Sequence, residues 1–130
     1  LSNEEQNRRH FSRIEFDGKC TIDFNRQPYT AKLVDICLTG ALIHVEQEMT
    51  ITAGQNTSIS IALLGAQTVI NILATLVKRE DDLLHFSFDS IDLESTYHLR
   101  RLLELNLGDA SLMERELHQL AKYRLHKNNL

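Results

Sequence analysis

Residues 19–45 read KCTIDFNRQPYTAKLVDICLTGALIHV, and this stretch decides the fold. Within it Cys20, Ile22 and Phe24 alternate with Thr21 and Asp23, the two-residue period of a strand with one face buried. Gln27-Pro28, which holds the single proline of the chain, marks a turn. Tyr29 to Ile36 reads as a second strand and Ala41 to Val45 as a third, with a turn ending at Gly40 between them. The same rhythm continues outward. Beyond the polar stretch Glu46–Asn56, Ile59, Ile61 and Leu63 alternate with Ser58, Ser60 and Ala62. Gly65-Ala66 gives a turn, Val69 to Val77 a longer strand, Lys78–Asp82 a charged hairpin tip and Leu83 to Phe88 a last strand. About six short strands at regular spacing predict a mainly β domain, a six-stranded antiparallel barrel.

The flanks differ in character. Residues 1–16 are polar and charged and are expected to form a flexible, arginine-bearing arm leading into a barrel over residues 17–91. Residues 92–130 predict a helical extension. Leu99, Leu102, Leu103 and Asn106 fall at helical spacing, and Gly108 suits the end of that helix because glycine adopts the left-handed conformation cheaply. Ser111 and Glu114 form a capping box for a second helix, with Met113, Leu117, Leu120, Ala121 and Arg124 as its stripe.

A length of 130 residues fits one domain, and 42% hydrophobic with 25% charged residues is an ordinary globular balance. The apolar runs are too short to cross a bilayer, and there is no charged-then-apolar leader. Cys20 and Cys37 are therefore expected to be reduced thiols of a cytoplasmic protein. A net charge of −4 argues against binding a nucleic acid polymer, whose affinity rests on neutralising many phosphates. Yet Arg8, Arg9 and Arg13 lie within six positions of one another, a concentration that suits a small anion.

Two clusters carry recognition chemistry. In the first, arginine offers a planar fork of donors that fits phosphate oxygens or the O6/N7 edge of guanine, and it stacks on bases. In the second, Asp35-Ile36-Cys37-Leu38-Thr39-Gly40, an aspartate at a strand end accepts paired N–H groups such as guanine N1 and N2, while Gly40 permits a tight turn with backbone close to a ligand. Each has a plain structural reading as well, a solvated basic arm for the first and a side-chain-stabilised hairpin turn for the second.

Taken in order, Arg9…Arg13 followed by Asp35-x-Cys37-x-x-Gly40 between barrel strands resembles the signature of the PilZ family, Arg-x-x-x-Arg and then Asp/Asn-x-Ser-x-x-Gly. The segment His98–Gly108 resembles the helical extension of single-domain members, so nearly the whole chain is covered. The resemblance implies a receptor for the bacterial second messenger cyclic di-GMP that changes conformation on binding and signals to a downstream protein partner. It implies that Arg9 and Arg13, helped by Arg8, take phosphates and guanine edges, and that Asp35 and Cys37 face a guanine. Cys37 replaces the usual serine, and losing one neutral hydrogen bond costs about 1 kcal/mol. Where some members place a stacking aromatic, this chain has Val77-Lys78-Arg79, and Arg79 or Lys78 is expected to lie over a purine in its place. An aromatic there contributes roughly 1–3 kcal/mol per base.

Other classes have less support. Cys37 and His44 have no orienting carboxylate, so no enzyme is expected. The six histidines show no ligand spacing with either cysteine, so neither a metal nor a resident cofactor is expected, and no membrane contact is implied. The alternative is a PilZ-like adaptor that binds no nucleotide and acts through protein–protein interaction.

Overall fold

The computed structural model describes Phe11, residues 14–63, residues 68–107, and Arg115, Glu116 and Gln119. Six strands are formed: β1 (Ile14–Phe24), β2 (Gln27–Ile36), β3 (Gly40–Val45), β4 (Asn56–Ala62), β5 (Val69–Glu80) and β6 (Leu83–Ile91). They close in the order β1-β2-β3-β6-β5-β4, with β4 pairing back onto β1 and every pair antiparallel. Closure leaves no free sheet edge. Alternate residues of each strand line the interior; Ile22, Leu33, Ile43, Ile59, Ile72 and Phe86 are all essentially solvent-free. The expected six-stranded barrel is the fold observed.

The turns correct the sequence reading. The β1–β2 hairpin turns at Asn25-Arg26, with φ of 52° and 63°, and Gln27-Pro28 already belongs to β2. Two consecutive positive φ values match the right-handed twist of the flanking strands, and asparagine tolerates that conformation better than most residues. The charged tip expected at Lys78–Asp82 contracts to Asp81-Asp82, because β5 runs through Glu80. β1 begins at Ile14, inside the segment expected to be a flexible arm, and Phe11 is 3% exposed within the core cluster. The Gly65-Ala66 turn lies outside the described residues.

The helix α1 (Leu93–Leu107) starts from Asp92, whose carboxylate accepts from Ser95 N–H at 2.7 Å and from the Ser95 hydroxyl at 3.0 Å. These bonds hold the Asp92 carboxyl below its ordinary range. Ser95 Oγ in turn accepts from the Asn71 N–H of β5 at 2.9 Å, joining the helix start to the barrel. Leu99, Leu102 and Leu103 bury the facing side of the helix. Of the second expected helix, only Arg115, Glu116 and Gln119 are described, and all three are helical. No helix among the described residues is long and apolar enough to cross a membrane.

Both cysteines are buried. Burial, reinforced by the Glu46 carboxylate, pushes the Cys20 thiol up to about 12. Thiolate is the nucleophile in disulfide exchange. Ellman's reagent at pH 8 is therefore expected to leave Cys20 untouched in the native protein and to react once denaturant is added. Fast native labelling of Cys20 would contradict this packing.

Candidate ligand-binding face

Directly paired residues of neighbouring strands share a face. Asp35 of β2 pairs with Leu42 of β3, Leu42 with His85 of β6, and His85 with Lys78 of β5. Asp35, Leu42 and His85 are half-buried and Lys78 is exposed, so the four form one outward row that runs from β2 round to β5 on the opposite side of the six-stranded barrel. Further from the open end of the hairpin, Lys32, three residues before Asp35, stands between Lys19 and His44, and these three form a second exposed row. Lys19 and Lys32 stand directly opposite one another, and like charges so placed repel. A bound anion would relieve that repulsion. Asp35 itself stands opposite Glu15, so the two lysines are the positive charges of a hairpin that is acidic at its open end.

Two irregularities set this row. The pairing shifts between Leu33 and Asp35 and again between Leu76 and Lys78, where one strand carries an extra residue. The second shift turns Lys78 outward and leaves Arg79 opposite the buried Leu84, on the inward side. There Arg79 Nη1 donates to the carbonyls of Met49 and, at 3.0 Å, Ile51, while Nε donates to the Asp81 carbonyl at 3.0 Å. The guanidinium thus ties the segment before β4 to the β5–β6 turn, at the end of the barrel away from Asp35. Arg79, expected over a purine, is held there by these three carbonyls. Lys78, weighed beside it, faces outward on β5, across the closed barrel from β2, and pairs with Glu80 at 2.7 Å.

The turn after Asp35 is built inward. Cys37, Leu38 and Thr39 are 0%, 1% and 3% exposed. The Cys37 N–H donates to the Gly40 carbonyl at 2.9 Å, and the Phe88 N–H donates to the Thr39 carbonyl at 2.9 Å. The Cys37 sulfur accepts from the Thr39 N–H at 3.5 Å and lies 3.4 Å from the Thr39 hydroxyl. Serine at this position would make the same contacts with a stronger acceptor. Gly40 opens β3 opposite Ser87 with φ outside the left-handed region; among the described glycines that conformation belongs to Gly54.

Arg8, Arg9 and Arg13 lie outside the described residues. Phe11 and Ile14 are described. Phe11 is buried in the core, and Ile14, the residue after Arg13, pairs with Ile36, with Glu15 opposite Asp35. The chain between the two motifs is thereby closed into one hairpin whose open end carries Asp35. Sequence reasoning missed Lys19, Lys32 and His85 as neighbours of Asp35. Their outward parity was readable from the alternation of the strands, but their lateral alignment depends on register.

A family model described as the PilZ domain matches residues 7–105. Among solved structures, the PilZ domain of YcgR from Escherichia coli, determined with c-di-GMP, matches with a TM-score of 0.61 at 18% identity, over 88% of this chain and 98% of that one. The PilZ domain of CeSA from a cellulose-synthesizing bacterium matches with a TM-score of 0.57 at 13% identity, over 75% and 96%. The Bacillus subtilis inhibitor of motility MotI/DgrA matches with a TM-score of 0.60 at 14% identity over 75% of this chain. The matched part spans 52% of the Bacillus protein. These likenesses establish the barrel.

Proposed function

Because the chain belongs to the PilZ domain family, we propose that it is a non-catalytic cytoplasmic receptor for cyclic di-GMP that signals to a downstream protein partner. The observation that carries this reading is the joining of the two motifs: Phe11, between Arg9 and Arg13 in sequence, is buried, and Ile14 is paired beside Asp35. Under this reading Arg9 and Arg13, with Arg8, hold phosphates and guanine edges, and Asp35 accepts from guanine N–H groups. Lys19 and Lys32 supply positive charge on the hairpin that carries Asp35, and the half-buried His85 ring offers a stacking surface where an aromatic is otherwise missing. Cys37 supports the ligand indirectly, by shaping the turn that presents Asp35. Gly40 contributes a buried backbone position without a side chain.

Micromolar binding corresponds to about −8 kcal/mol. Three charge-assisted arginine contacts at about 1.5–3 kcal/mol each approach that value. Calorimetric titration with cyclic di-GMP is expected to give saturable heat at micromolar ligand. The thermal midpoint is expected to rise, since a ligand at 100 times its Kd stabilises the native state by about 2.7 kcal/mol. Dilution heats alone, with an unchanged melting curve, would remove the nucleotide function and favour the protein-interaction adaptor.

A further inference from the structure

The helix α1 is apolar on two sides. One side, with Leu99, Leu102 and Leu103, is docked on the barrel. On the other, Leu93 is 88% exposed, Tyr97 58% and Leu105 73%, with Arg101 also exposed between the last two. These four positions are each four residues apart and so line one stripe.

We propose that this stripe is the interface for a second copy of the same chain, joined as an antiparallel helix pair about a two-fold axis. The order Leu93, Tyr97, Arg101, Leu105 is self-complementary. Reversed onto itself, it sets Leu93 against Leu105 and Tyr97 against Arg101, and each contact occurs twice, as a two-fold interface requires. An arginine over a tyrosine face gains a cation–π contact in addition to the buried area. A partner stripe in the parallel direction would instead bring the two Arg101 side chains together. Arg100 and Glu104 pair within the helix at 2.8 Å, so that ion pair needs no partner from the second copy. A helix pair of this length buries less than the roughly 1,200–2,000 Å² of a standard stable interface, so the dimer is weak and reversible.

Sedimentation velocity of the full chain from low micromolar to near millimolar concentration is expected to show a monomer passing into a dimer. Leu105→Glu is expected to raise the dissociation constant at least about tenfold, because both Leu93–Leu105 contacts of the dimer are lost and each would hold a charge against leucine. Leu93 and Leu105 are largely exposed in the monomer, so the variants fold, which the melting curve verifies. Under mild oxidation, an equimolar mixture of Leu93→Cys and Leu105→Cys proteins is expected to form a disulfide-linked pair, and neither variant alone is expected to do so. The buried Cys20 and Cys37 do not compete. A monomer at every concentration overturns the proposal. A dimer indifferent to Leu105→Glu also overturns it, as does crosslinking by either single variant. A monomer whose melting point falls in Leu105→Glu assigns the stripe to the chain's own carboxyl-terminal segment, and equally overturns it.

Discussion

Phe11→Ala is expected to lower the stability of the domain by about 3–5 kcal/mol, the usual cost of emptying a buried phenylalanine site. Phe11 is 3% exposed and belongs to the same core cluster as the barrel interior, although its neighbours in sequence are Arg9, His10, Ser12 and Arg13. Its removal deletes a large apolar contact and also releases the chain ahead of Ile14 from the barrel. The same variant is therefore expected to bind cyclic di-GMP more weakly than its loss of stability explains, because the flanking arginines then carry the full ordering cost on binding. Phe11→Leu, which keeps most of the buried volume, is expected to cost under about 1.5 kcal/mol and to retain affinity. Urea unfolding followed by calorimetry on both variants separates these effects. An alanine variant as stable as the parent would mean that Phe11 does not anchor the motif.

The phenylalanine also marks where sequence reading stopped. Phe11 stands among charged residues and carries no period of its own, so residues 1–16 read as an arm. The strands were legible because Cys20-x-Ile22-x-Phe24 and Ile59-x-Ile61 repeat every second residue. That alternation survives into the structure as interior and exterior faces. The turns were less legible. Pro28 drew the turn toward itself, whereas the sharp bend is made by Asn25 and Arg26, and a proline near the start of a strand is tolerated there. The charges of Lys78–Glu80 suggested a tip because composition does not distinguish an exposed strand end from a loop. Lys78 and Arg79 illustrate the limit most sharply. One extra residue at Val77 reverses which of them faces outward, and no propensity scale reports a bulge. The row Asp35–Leu42–His85–Lys78 needs the register of three strand pairs at once. Long-range pairing of that kind is a property of the closed barrel and not of any one segment.

Replacing Arg9 and Arg13 together by alanine is expected to weaken cyclic di-GMP binding at least about 100-fold. Each charge-assisted contact contributes about 1.5–3 kcal/mol, a factor of roughly ten or more apiece. Loss of folding is not expected to explain the result, so the free variant should melt within a few degrees of the parent. Asp35 calls for a finer measurement, because it is half-buried and paired within the sheet, and its removal alone mixes binding with stability. The inosine analogue of the ligand lacks the exocyclic N2 amine and nothing else. If Asp35 accepts from N1 and N2, the parent binds that analogue about tenfold more weakly, the worth of one charged hydrogen bond, while Asp35→Ala binds the two ligands alike. The cycle cancels any loss of stability common to both titrations. Equal discrimination by parent and variant would place the guanine edge elsewhere, and the half-buried His85, one strand beyond Leu42, would be the next residue to replace.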